Sequence, residues 1–97
     1  MIETIESVSK WADETFGKTT VEASRRRALE EIQEFREQII DHKIVEEAAD
    51  VCITLYRLIA LLDPLAIEKK MATNRSRHWV LNGDGTGYHI KERESNP

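Results

Sequence analysis

Two pairs of acidic residues between positions 31 and 50 have the spacing of a chemical site. Glu31 and Glu34 form the first pair, and Glu47 and Asp50 form the second. On a helix, residues i and i+3 lie one turn apart on the same face, so each pair can direct two carboxylates to a common point. If the two helices pack antiparallel, all four carboxylates converge.

Converging carboxylates require positive charge between them. Two carboxylates about 5 Å apart repel by roughly 3 kcal/mol at an effective dielectric constant near 20. A divalent cation removes this repulsion, and Mg²⁺ prefers hard oxygen ligands that substrate phosphates often complete. Zinc and di-iron sites are disfavoured, because neither pair contains a histidine or a cysteine. The spacing is equally compatible with a structural role, in which salt bridges hold two acidic helix faces.

A second group of residues could bind phosphate. Lys70, Asn74 and Arg77 share one face of a predicted helix, and their basic and amide groups suit phosphate oxygens. The alternative is an ordinary solvated polar face. Trp11 and Phe16 are large aromatic residues in a chain with few of them. They could form a core or a subunit contact, or they could stack on a nucleobase.

The elements that must position these residues are mostly helices. Apolar residues recur at helical spacing along most of the chain, and a turn signal at 82–85 separates two short apolar segments near the C-terminus. We therefore predict an all-α fold, a four-helix bundle with a small C-terminal β-hairpin, in a single domain of residues 1–97. The predicted bounds are about 2–15, 20–40, 44–62 and 64–75 for the helices, 78–91 for the hairpin and 92–97 for a tail.

Local signals mark the predicted helix ends. Gly17 is expected to end the first helix, and Thr19 with Glu22 fits a capping box before the second. The segment 41–43 fits a tight turn between antiparallel helices. Asp63-Pro64 fits the start of the fourth helix, with aspartate at the N-cap and proline at the first helical position.

Composition restricts the function classes. The net charge of −4 argues against a general nucleic-acid-binding protein, and 40% hydrophobic with 33% charged residues indicates an ordinary globular chain. No signal peptide is expected, and the most apolar segment, 51–62, is too short to span a membrane. The single cysteine, Cys52, is expected to be a buried thiol in a reducing compartment, so we predict a cytoplasmic protein. A chain of this length often completes its core by forming an oligomer.

These motifs resemble those of a known family, the MazG-like all-α nucleoside triphosphate pyrophosphohydrolases. The family signature is ExxE followed by ExxD, and here it corresponds to Glu31–Glu34 and Glu47–Asp50 with twelve residues between them. The segment at 70–77 is similar to the second family motif, with its lysine, asparagine and arginine in the same order. The segments at 11–17 and 79–89 are similar to a phage and bacterial subgroup of dATP/dGTP pyrophosphohydrolases.

The resemblance implies an oligomeric enzyme, a homodimer or homotetramer, that hydrolyses (deoxy)nucleoside triphosphates to monophosphate and pyrophosphate. It implies a Mg²⁺ cofactor, with Mn²⁺ as a substitute, and a water molecule that gives its proton to a carboxylate. The alternative function is that of a non-catalytic helical-bundle module that binds nucleotide or another protein. The residues implied are Glu31, Glu34, Glu47 and Asp50 for the metal, Glu31 or Glu34 for the proton, Lys70, Asn74 and Arg75 or Arg77 for phosphate, and Trp11 and Phe16 for the base.

Overall fold

The computed structural model describes residues 2–90 and confirms a helical chain with a short antiparallel sheet. The chain divides into two compact units, residues 1–65 and 66–97. The predicted tail, and residue 91 of the predicted hairpin, lie outside the described residues. Within residues 2–90, no helix has the length and apolar composition that crossing a membrane requires. The described elements are α1 (Ile5–Phe16), α2 (Val21–Arg36), α3 (Asp41–Leu62), α4 (Ala66–Ser76), β1 (Trp79–Leu81) and β2 (Gly87–His89).

α1 begins later than its predicted start at residue 2, because Thr4 caps it. The Thr4 hydroxyl accepts a hydrogen bond from the Ser7 amide at 3.0 Å, and the Ser7 hydroxyl accepts one from the Thr4 amide at 2.7 Å. This reciprocal pair satisfies two amides that lie at the unpaired end of the helix. Gly17 follows the end of α1, as predicted, with a φ of 87° that favours glycine.

The predicted boundary between the second and third helices is wrong. α2 ends at Arg36 rather than near residue 40, and the segment 41–43, predicted as the turn, forms the first turn of α3. The amides of residues 37 and 38 bond back three positions at 3.3 and 3.2 Å, which closes α2 with a tightened turn. Ile40 is extended, and Asp41 then places a carboxylate in the first turn of α3, where the helix dipole favours it.

The core within the described chain is small. α3 packs against both α2 and α1, and the buried apolar residues are Val8, Ala12 and Ala28. Many larger apolar side chains on the helices are exposed, as Val45 is at 63%. Cys52 is exposed, so the prediction of a buried thiol is wrong. The predicted apolar helix faces are therefore only partly covered.

The second unit contains α4 and the hairpin. α4 begins at Ala66, two residues after its predicted start. β1 and β2 pair antiparallel, with Trp79 opposite His89. The indole Nε1 of Trp79 donates to the Asn74 carbonyl at 2.9 Å, which ties β1 to α4. A Cβ atom at Gly87 would lie 2.6 Å from a carbonyl oxygen of β1, so this position requires glycine.

Thr20, rather than the predicted Thr19, caps α2, because its hydroxyl accepts a hydrogen bond from the Ala23 amide at 3.1 Å. Thr20→Ala should lower the free energy of unfolding by about 1 kcal/mol, since that amide loses its partner. Thr19→Ala is the matched control, because within residues 2–90 the Thr19 hydroxyl hydrogen-bonds to the Thr20 carbonyl and the Ser24 hydroxyl and to no helix amide. Urea denaturation followed by circular dichroism measures both variants. Equal losses would contradict the assignment of the cap.

Candidate metal centre

Three of the four predicted metal ligands come together between α2 and α3. Glu31, Glu34 and Glu47 each place one carboxylate oxygen within 4.8 Å of the others. Glu31 and Glu34 share one face of α2 because they are three residues apart. The short connection at 37–40 returns the chain as α3, which supplies Glu47 from the opposite side. We call these three residues the carboxylate cluster.

Asp50, the fourth predicted ligand, lies one helical turn beyond Glu47 and outside the carboxylate cluster. Its side chain is exposed and lines a neighbouring cavity. Its charge nevertheless raises the pKa values of both Glu31 and Glu47, after the larger effect of burial. Asp50 therefore belongs to the electrostatic surroundings of the cluster.

Two carboxylate oxygens of the cluster have no hydrogen-bond donor. The Oε2 atoms of Glu31 and Glu47 are both inaccessible to solvent and both unpartnered. The Glu31 side chain as a whole is only 8% exposed. A buried acceptor without a donor is unfavourable, and such groups often mark the place of an ion or a water molecule. The cluster offers oxygen atoms only, so these carboxylates could hold a hard metal ion.

Electrostatics in the cluster oppose full ionisation. Burial raises the pKa of Glu31 above its ordinary value of 4.5, the charge of Arg27 lowers it, and the charges of Glu34, Asp50 and Glu47 raise it. Burial also raises the pKa of Glu47, followed by the charges of Glu34 and Asp50. A cation at the cluster would offset this repulsion and favour the charged forms of both carboxylates.

Salt bridges account for only one member of the cluster. Arg27 Nη2 lies 2.5 Å from Glu31 Oε1, one turn away on α2. Among residues 2–90, no lysine or arginine forms an ion pair with Glu34, Glu47 or Asp50. The alternative role for the acidic pairs was to hold two helix faces through salt bridges. Among the four acidic residues of these pairs, only Glu31 forms a salt bridge within residues 2–90.

A cavity of about 420 Å³ opens beside the cluster, and Glu31 and Asp50 form part of its wall. Trp11 and Phe16, the predicted base-binding residues, line the same cavity. Their rings lie 5.5 Å apart at 86°, an edge-to-face arrangement. The structure thus brings the aromatic pair and part of the acidic group to one cavity of the first unit.

Arg57 holds the end of α1 beside this cavity, a role that the sequence did not reveal. Its Nη2 donates to Asp13 Oδ1 at 3.1 Å and also to the Gly17 carbonyl. The hydrogen bond from Arg57 lowers the pKa of Asp13. The sequence does show a single arginine inside the apolar segment 51–62. It could not show the partner of this arginine, which lies 44 residues away in the chain.

The predicted phosphate-binding residues all belong to the second unit. Lys70, Asn74 and Arg75 lie on α4, and Arg77 follows the end of that helix at Ser76. Arg77 Nη1 donates to Asn74 Oδ1 at 3.3 Å, so these two side chains meet. Both are half-buried, whereas Lys70 and Arg75 are exposed.

Comparison with protein-family models, with curated proteins and with solved structures finds no match for this chain.

Glu34→Gln should stabilise the metal-free protein above neutral pH. The folded protein raises the pKa values of Glu31 and Glu47, partly through the charge of Glu34. Both carboxyl groups therefore favour folding at acid pH, and this stabilisation is lost as the pH rises above 4.5 through their folded-state pKa values. Removing the Glu34 charge should raise the melting temperature at pH 8 by about 3 °C, and the difference should shrink towards pH 5.

Scanning calorimetry in EDTA measures this difference. Glu14→Gln, the same change on the exposed surface of α1, is the control and should move the melting temperature by about 1 °C or less. A lower melting temperature for Glu34→Gln at pH 8 would show that the carboxylates do not repel one another in the folded protein.

Proposed function

We propose that the protein is a Mg²⁺-dependent nucleotide pyrophosphohydrolase, which converts (deoxy)nucleoside triphosphates to monophosphate and pyrophosphate. The observation that carries this proposal is the pair of buried, unpartnered oxygens of Glu31 and Glu47 beside a cavity walled by Trp11 and Phe16. Clustered carboxylates suit a hard cation, and a largely apolar cavity with an aromatic wall suits a nucleobase. The resemblance of both acidic motifs to those of MazG-like pyrophosphohydrolases supports the same reaction.

The proposed metal ligands are Glu31, Glu34 and Glu47, whose oxygen donors fit Mg²⁺, with Mn²⁺ as a substitute. Asp50, the fourth predicted ligand, adds negative charge one turn beyond Glu47. A bound metal ion would make a water molecule more acidic and neutralise charge on the phosphoryl oxygens. Glu34 is the preferred acceptor of the proton from water, because its side chain is exposed and forms no ion pair among the described residues. Glu31 is the second candidate, but Arg27 already holds one of its oxygens.

Four residues of the second unit are proposed to bind the phosphate chain. Their donors are an ammonium, an amide and two guanidinium groups, which are suited to phosphate oxygens. The hydrogen bond between Arg77 and Asn74 holds two of these groups together at the end of α4. The proposed residues are Lys70, Asn74, Arg75 and Arg77.

We further propose that the protein works as a homodimer or homotetramer in the cytoplasm. The small core and the exposure of apolar residues such as Leu29, Val45 and Leu62 support association with further copies. The single cysteine, which leaves no disulfide framework within the chain, fits a reducing compartment.

Purified protein with Mg²⁺ should release pyrophosphate from at least one of the eight common NTPs and dNTPs. Glu34→Gln and Glu47→Gln should each lower turnover by about 100-fold or more, because each removes a ligand or the base. Glu14→Gln should leave turnover unchanged. Product chromatography measures the monophosphate and pyrophosphate, and circular dichroism shows whether each variant is folded.

The outcome separates the enzyme from the non-catalytic module. A protein that binds nucleotides but releases pyrophosphate from none of the eight is a binding module. Orthophosphate in place of pyrophosphate would mean that a different phosphorus atom is attacked.

Lys70→Ala should weaken nucleotide binding about tenfold and leave Mn²⁺ binding unchanged, because the ammonium is proposed to contact phosphate and not the metal. Lys69→Ala, the same change at the neighbouring position of α4, is the matched control and should alter neither affinity. Calorimetric titrations with a non-hydrolysable nucleotide and with MnCl₂ measure the two affinities. Equal losses for both ligands would contradict the assigned role.

A further inference from the structure

Arg27 is the basic residue that contacts the carboxylate cluster. Its Nη2 lies 2.5 Å from Glu31 Oε1, and its Nη1 lies 3.1 Å from Glu30 Oε1. The two glutamates follow Arg27 by three and four residues on α2, so one guanidinium reaches both. Glu31 therefore has its two oxygens in different states, since Oε1 is paired with Arg27 and Oε2 is unpartnered.

The two partners of this ion pair differ in their exposure. The Arg27 side chain is 56% exposed, whereas Glu31 is 8% exposed. Arg27 also lines the cavity that contains the aromatic pair. A half-exposed arginine can turn away from Glu31 at modest cost, because water hydrates it and Glu30 still pairs with it. Glu31 has no such freedom, so the cluster needs a replacement cation whenever Arg27 leaves.

A divalent cation in the cluster would stabilise the same negative charge that Arg27 now stabilises. Two cations beside one carboxylate repel each other, so each weakens the binding of the other. Without a metal ion, Arg27 offsets part of the repulsion that Glu34, Asp50 and Glu47 exert on Glu31. Arg27 thus stabilises the metal-free state more than the metal-bound state.

We propose that Arg27 is an exchangeable counter-ion of the metal centre, which neutralises Glu31 in the metal-free protein and lowers the affinity of the cluster for a divalent cation. This positioning role rests on the proposed function, because it requires the cluster to bind a metal ion. It implies that the protein does not retain the ion tightly between turnovers, so that metal and nucleotide can arrive together.

The test is Mn²⁺ binding to the full chain without nucleotide, measured by electron paramagnetic resonance. Arg27→Gln should bind Mn²⁺ about tenfold more tightly than the wild type, because the competing charge is gone. The same variant should melt at a lower temperature in EDTA, by about 3 °C, because the metal-free cluster has lost its counter-ion. A tighter Kd is informative because damage to the fold cannot produce it.

Two further variants separate charge from structure. Arg27→Lys keeps the charge and should restore Mn²⁺ affinity to within about threefold of the wild type. Arg26→Gln changes the net charge equally at the neighbouring position, and Arg26 forms no ion pair within residues 2–90. It should leave the Kd for Mn²⁺ and the melting temperature in EDTA unchanged.

Each outcome has one meaning. If Arg27→Gln binds Mn²⁺ as weakly as the wild type or more weakly, the counter-ion role is wrong while the metal centre stands. If Arg26→Gln tightens binding as much as Arg27→Gln, a general charge effect replaces the proposed contact. If the wild type and all variants bind no Mn²⁺, the proposed metal centre itself fails, and the counter-ion role fails with it.

Discussion

Repulsion between carboxylates is the constraint on which the first unit depends. The contact between α2 and α3 brings Glu31, Glu34 and Glu47 together, and burial of Glu31 removes much of the water that would screen it. Arg27 offsets part of this repulsion. Two helices that needed only to pack would place apolar or oppositely charged residues at this contact. The proposed cation would give the arrangement a physical reason.

The cavity beside the cluster depends on small side chains. Ala12, Ala23 and Ser24 line it, and a larger residue at any of these positions would fill part of the space. The aromatic side of the cavity is placed by an ion pair instead of a large core, because Arg57 on α3 binds Asp13 of α1. Small residues and one half-buried arginine together keep an open space next to charged groups. These features are typical of a ligand-binding site and not of a core that stabilises the fold.

The sequence predicted what depends on local spacing and missed what depends on distant contacts. Three of the four predicted acidic residues meet between α2 and α3, and within each pair a spacing of three residues places both side chains on one helix face. The end of α2 at Arg36 was missed because neither glycine nor proline lies between residues 36 and 41. The pairing of Arg57 with Asp13 spans 44 residues, which no local pattern can report. The contact of Arg27 with Glu31 is local, because residues four apart lie on the same face of a helix.

The exposure of Cys52 bears on the proposed assembly. Val45, Ala49 and Cys52 follow one another at intervals of four and three residues, and all three are exposed. At 100° per residue they form an uncharged strip on the side of α3 opposite Glu47, which faces α2. A helix with apolar residues on two opposite sides is expected to pack against another element on each side. Small side chains at Ala49 and Cys52 would also let a second helix approach closely. The strip therefore supports the proposed association with further copies.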